Sequence, residues 1–253
     1  MLHMLISSIV VILTVMLLSL RALNRPEWLQ TSEENVASNW TNQDWMHTVI
    51  RAGFFALASA AIAWYFMPEH LINHSWEMDV ARSIQAYLAA IVAFNLFIGF
   101  VTDTVYRKVD NRITWLSIAL AMPPALWFII SFADQATIIL FVVILTMAFG
   151  AMLFAGRAWG PADGRNIILA VAVLFPVVGD LGFTNYITYV ALLTIFVGLC
   201  YFFYQLIGLK MPVKKAFVIS LPGVPILLLP AWFFVIMGGW AFPLFLITGN
   251  SGI

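Results

Sequence analysis

Long apolar runs separated by short polar connections divide the chain at residues 4–21, 48–67, 84–102, 113–132, 136–156, 165–181, 184–207 and 216–240. A helix that crosses a bilayer needs about 20 mostly apolar residues. The pattern therefore predicts an all-α, polytopic bundle of about eight transmembrane helices. The sixth run is short and is flanked by Asp163 and Asp180. The last is interrupted by Pro222, Pro225 and Pro230, which predicts a kinked or partly re-entrant helix. Residues 22–47 form the one sizeable polar stretch, too short for a core of its own. Its tryptophans, Trp28, Trp40 and Trp45, suit a segment lying on the membrane surface.

Composition agrees. Of the 253 residues, 63% are hydrophobic and only 9% charged, where a soluble domain carries roughly 25% charged residues. Net charge is zero, so the chain offers nothing to a nucleic acid. The single cysteine, Cys200, excludes an internal disulfide and is expected to be a small packing residue. The first 24 residues lack a basic start, and Arg21 and Arg25 follow the apolar run; this predicts a retained helix.

Basic residues concentrate in cytoplasmic loops. If the loop after the third run is cytoplasmic, alternation puts Arg21, Arg25, Arg51, Arg107, Lys108, Arg112, Arg157, Arg165, Lys210, Lys214 and Lys215 inside and only Arg82 outside. Both termini are then expected outside the cytoplasm of a cytoplasmic, or inner, membrane.

That arrangement sharpens the meaning of two acids. Asp103 ends the third run, in "FIGFVTDTVYRKVDNRITWL", and Asp163 opens the sixth, in "GRAWGPADGRN". Two crossings separate them, so topology returns both to one face, and the third and sixth helices need only be neighbours for the carboxylates to meet. Two close carboxylates do not both ionise easily: one keeps a proton while the other stays charged. Such a pair can take a proton from water and give one to a leaving amine, the chemistry of aspartyl proteolysis. Gly160 and Gly164 would leave room for a substrate backbone, and Pro161 would stiffen the approach. Taken singly, Asp103 could balance Arg107 and Lys108, and Asp163 could cap a helix.

The other polar candidates read more plainly. Asp110 suits a loop ion pair with Arg107 or Arg112. His70 and His74, spaced i, i+4 with Glu77 nearby, lack further ligands and read as an exposed loop, so no metal is expected. Asn95, alone within its run, is expected to hydrogen-bond a neighbouring helix. Gly160 and Gly164 also form a weak helix-contact pattern. The sequon at 39–41 falls on the inner side, where it has no meaning.

The two acidic stretches resemble those of the type IV prepilin peptidase family, the GxGD-type intramembrane aspartyl proteases. In that family the first aspartate precedes a short basic run and an Ile-Pro-Asn; here Asp103 precedes "TVYRKVDNRIT", with Val109, Asp110 and Asn111 in those places. The family's second motif, Gly-x-Gly-Asp with a lysine nearby, stands as Gly160, Pro161, Ala162, Asp163, Gly164 and Arg165. Its late Pro-Phe-Gly-Pro has a counterpart in Pro222, Gly223, Val224 and Pro225. Asp110 for proline and Ala162 for glycine depart from the pattern. The resemblance covers residues 84–240 as a six-helix peptidase core, with 1–83 as an N-terminal helix pair and 241–253 as a tail. It implies Asp103 and Asp163 as the catalytic pair, supported by Asn111, Gly160, Ala162, Gly164 and Arg165. It implies cleavage of a short basic leader from pilin-like precursors at the cytoplasmic face of the lipid bilayer, without a cofactor. Many members also carry a four-cysteine methyltransferase loop; this chain has none, so it looks like a short form. The alternatives are an inactive relative, or a non-enzymatic membrane scaffold or transporter component.

Overall fold

The computed structural model describes residues 42–66, 78–106, 111–153, 161–208, 210, 212 and 223–238. Among them the regular elements are all helical: α1 (Asn42–Tyr65), α2 (Met78–Tyr106), α3 (Asn111–Ser131), α4 (Gln135–Leu153), α5 (Pro161–Phe203, ending in a π-helical turn, Tyr204–Gly208) and α6 (Gly223–Met237). Among the described residues, five segments are long and apolar enough to cross a membrane: Met46–Tyr65, Asp79–Asp103, Arg112–Ser131, Ala162–Gly179 and Phe183–Gly208. The chain thus has the helices of a multi-pass membrane protein. Shorter apolar stretches lie in α4 (Gln135–Gly150) and α6 (Gly223–Met237). The expected first helix, 4–21, lies outside the described residues, as do His70, His74, Glu77, Asp110, Gly160 and Pro222.

Helix ends overrun the apolar runs. α1 begins at Asn42, so the last residues of the expected 22–47 loop are helical. α2 extends from Met78 to Tyr106, 29 residues where the apolar run suggested 84–102. At 1.5 Å per residue that is roughly 43 Å, longer than a hydrocarbon core of roughly 30 Å. Once a helix has nucleated, each further turn in the interfacial zone closes its own backbone bonds, so hydropathy marks the membrane and not the helix end.

α5 holds two of these five segments, matching the separate runs expected at 165–181 and 184–207, and Gly179 divides them. Its φ of 64° and ψ of −165° are non-helical, a backbone state open essentially to glycine alone. The rings of Phe175 and Phe183 are 4.9 Å apart, whereas an unbroken helix would separate the two residues by about 12 Å along its axis.

Packing follows side-chain size. α1 and α2 meet through Ala52, Ala56 and Ala60 against Ala86, Ala90 and Ala93, all buried, and small residues let backbones approach closely. The first arm of α5, residues 162–179, forms the centre. α3, α4 and α6 all pack on α5, and Leu169 to Phe175 are fully buried. A tight turn joins α3 to α4. There the Asp134 carboxylate accepts the Thr137 N–H at 2.8 Å and caps α4.

Buried polar side chains lace the helices together. Asn95 donates to the Ser117 hydroxyl at 3.1 Å, the inter-helix bond expected of it. Tyr87 donates to the Leu120 carbonyl. The Trp232 indole donates to Ser59 at 2.9 Å, with Phe55 stacked on the same indole. Tyr186 donates to the Leu227 carbonyl at 3.1 Å, beside the α6 backbone position where Pro230 provides no N–H. Gln85, fully buried, donates to the carbonyls of Val235 and Ile236, each at 3.0 Å. These are among the carbonyls a helix C-terminus leaves without intrahelical partners.

Candidate functional site

α6 sets the geometry. Its 15 residues make a helix of about 22 Å, less than the thickness of the hydrocarbon. Its first turn exposes backbone N–H groups that need partners inside the protein. Pro225, in that first turn, lacks an N–H and so removes one such need. Asp103 meets another: its Oδ2 accepts the Val224 N–H at 2.9 Å. Asp103 is 8% exposed and sits within α2, three residues before its end, rather than closing the helix.

Asp163 lies in the first turn of α5, partly exposed. It faces the same turn of α6. A Cβ built on Gly223 would collide with its Oδ1 atom, so the carboxylate rests where only a glycine backbone leaves room. Gly223 here has an ordinary φ; space, not conformation, demands the glycine. The two points of contact are one peptide unit apart, which bounds the separation of the carboxylates at about 9 Å. Gly99, one turn before Asp103 on α2, is equally constrained, since a Cβ there would strike the Val224 side chain. α2 and α6 are therefore in backbone-close contact beside the two acids.

The other predicted site residues are placed as follows. Arg165 is 8% exposed and near enough to Asp163 to feel its charge. Ala162 is half-buried at the start of α5, and Asn111 begins α3. Gly164 departs from the expectation of open space for a substrate. A Cβ there would lie 2.5 Å from Met152 Cγ and 2.6 Å from the Ala148 carbonyl, so the position serves close packing of α5 on α4, the helix-contact role its spacing with Gly160 hinted at. Cys200 also departs: it is exposed on the second arm of α5, on a surface without a protein partner among the described residues, where a small apolar side chain suits lipid. No group of three or more metal-ligating side chains occurs among the described residues.

The sequence placed Gly223 and Val224 in a motif resemblance but gave them no role beside the acids, and it did not single out Asn166. The first two supply the surface on which both acids converge. Besides that resemblance, the signal was a glycine flanked by prolines, a pattern that starts a helix abruptly. Asn166, one turn beyond Asp163, is 0% exposed, and neither its Oδ1 nor its Nδ2 has a hydrogen-bond partner among the described residues.

Chemically, the site offers two carboxylates at one helix N-terminus, a guanidinium beside one of them, and a glycine that keeps the approach narrow. No family model, curated protein or solved structure matches the chain.

Proposed function

We propose that the chain is an intramembrane aspartyl endopeptidase that removes short basic leaders from pilin-like precursors, with Asp103 and Asp163 as its catalytic pair. One observation carries the reading: acids 60 positions apart in sequence approach adjacent residues, Gly223 and Val224, of a third helix. One carboxylate takes a proton from a water molecule as the oxygen attacks the scissile carbonyl carbon. The other, protonated, first donates to that carbonyl oxygen. As the C–N bond breaks, a proton passes to the departing amine. The basic residues flanking these helix ends favour a cytoplasmic site, with both termini on the opposite side. Arg165 would hold the Asp163 carboxylate in orientation, and Asn111 would support the site from the start of α3.

A second reading is favoured by the bond from Val224 to Asp103. A carboxylate already engaged with a helix N-terminus behaves as a cap, as an inactive relative or a membrane scaffold would keep it. Asp103→Asn and Asp163→Asn separate the two, because asparagine retains an acceptor oxygen and cannot exchange protons in this way. With membranes containing the full chain and a precursor bearing a basic leader, each variant is expected to lower processing by about 100-fold or more without loss of folded protein. Full processing by either variant would sink the peptidase reading.

A further inference from the structure

The geometry points to Asn166 as the residue that holds the substrate's peptide group on the mature side of the cleaved bond, an inference that rests on the peptidase reading above. Asn166 follows Asp163 by three residues on α5, so the side chains are neighbours on one helix, their Cβ atoms roughly 5–6 Å apart. It stands one turn further from the helix start, deeper in the bundle than the acid. It is completely buried, yet its carbonyl oxygen and its amide nitrogen both lack partners among the described residues. Most buried side-chain polar atoms in proteins are satisfied, and the cost of leaving one unsatisfied is substantial. The other buried amides are anchored through nitrogen. Asn95 donates to Ser117, and Gln85, whose Oε1 also lacks a partner among the described residues, donates from Nε2 to two α6 carbonyls. Asn166 is engaged at neither atom among the described residues.

An amide side chain presents one acceptor and a donor pair, the complement of a peptide group's N–H and C=O. The substrate class of the proposed reaction brings such a group to this depth. A pilin-like precursor has a polar leader followed by an apolar helix, and the first four N–H groups of that helix have no intrahelical acceptor. With the scissile bond at the carboxylates, the first residues of the mature helix lie deeper, level with Asn166. Its Oδ1 can accept one of those N–H groups, and its Nδ2 can donate to a carbonyl of the same segment. The amide would then select for an apolar segment that begins its helix directly after the cut, and it would fix the scissile carbonyl against Asp163.

The test pairs a protein change with a substrate change. The full chain in membranes is given a precursor in which one backbone N–H just after the cleaved bond is replaced by an ester oxygen, position by position. At one position the wild-type chain is expected to lose about tenfold in kcat/KM. Asn166→Leu, close in size and without hydrogen-bonding atoms, is expected to lose a similar factor on the normal precursor and no more on that ester. A purely structural amide predicts instead that every ester is cut normally, or that the two losses multiply; either result overturns the assignment. The ester series in the wild-type chain needs no variant to fold, and Asn166→Ala supplies a second substitution. A wild-type chain that leaves every precursor uncut defeats the peptidase reading and this one together. Normal cutting by wild type and by both Asn166 variants defeats this one alone.

Discussion

The two arms of α5 are both apolar, yet they occupy opposite environments. Residues 162–179 have a mean hydropathy of 1.5 and 83% of the segment is buried within the protein. Residues 183–208 are more apolar, at 2.1, and no part of the most apolar stretch is buried. Leu192, Ile195, Phe196, Leu199 and Phe203 are all more than half exposed. In water that ranking would be perverse. In a bilayer the solvent is itself hydrocarbon, so a side chain loses nothing by facing outward. Burial follows polarity instead: the arm that carries Asp163, Arg165 and Asn166 is the one wrapped by other helices, because lipid cannot solvate those groups. The more apolar arm serves as the wall.

Breaking this contrast should be easiest at the polar end of the buried arm. Gly223→Ala places a methyl group against the Asp163 carboxylate and is expected to reduce precursor processing by about 100-fold, the scale of a 1 Å misplacement. At the far end of the exposed arm, Gly208→Ala would meet only the Tyr204 ring, at 3.2 Å, and processing should remain within about twofold. Equal losses would mean that both arms are under similar constraint.

Next in size is a pair of truncations. Leu174→Ala empties space in the fully buried arm and should cost about 2 kcal/mol or more in a reversible detergent-unfolding titration. Leu199→Ala, on a side chain 51% exposed, should cost less than about 1 kcal/mol. A large cost at Leu199 would show that this wall carries a protein partner and not lipid.

The smallest effect lies outside both arms, at the α3–α4 turn. The Thr137 hydroxyl, and with it the Thr137 N–H, holds the Asp134 carboxyl below the ordinary carboxylate range. A carboxyl whose folded pKa is depressed contributes above its unfolded pKa and loses that contribution as pH falls through the folded one. The cap is therefore expected to hold at neutral pH and to open only in acid. A carboxyl-resolved titration checks this, and an Asp134 that titrates with ordinary exposed aspartates would contradict it.

The five long apolar segments of the described residues were legible from hydropathy because a bilayer crossing needs about 20 apolar residues; α4 and α6, read from the sequence as full spans, are shorter apolar helices. The pattern of apolar runs supported only the expectation that Asp103 and Asp163 share a face; that both approach one turn of α6 depends on packing that the pattern does not carry. What hydropathy does not encode is rotation about each helix axis. The second-arm position of Cys200 reads the same whether it faces lipid or protein, and it faces outward. Gly164 reads the same as room for a ligand or as room for α4, and α4 fills it. The role of Val224 was invisible for another reason. Its contribution is a backbone N–H, which every residue but proline possesses, and only the end of a helix makes it available.

Gln85 and Asp103 both belong to α2, and they grip opposite ends of α6: one holds carbonyls at Val235 and Ile236, the other an N–H at Val224. α2 therefore acts as a splint with two clamps. A slide of α6 along its axis by even part of a turn would open both clamps together and strand buried polar atoms at each extremity. The helix that presents the acids' meeting point is thus fixed in length and register, and whatever motion admits a guest must come from the helices around this strut.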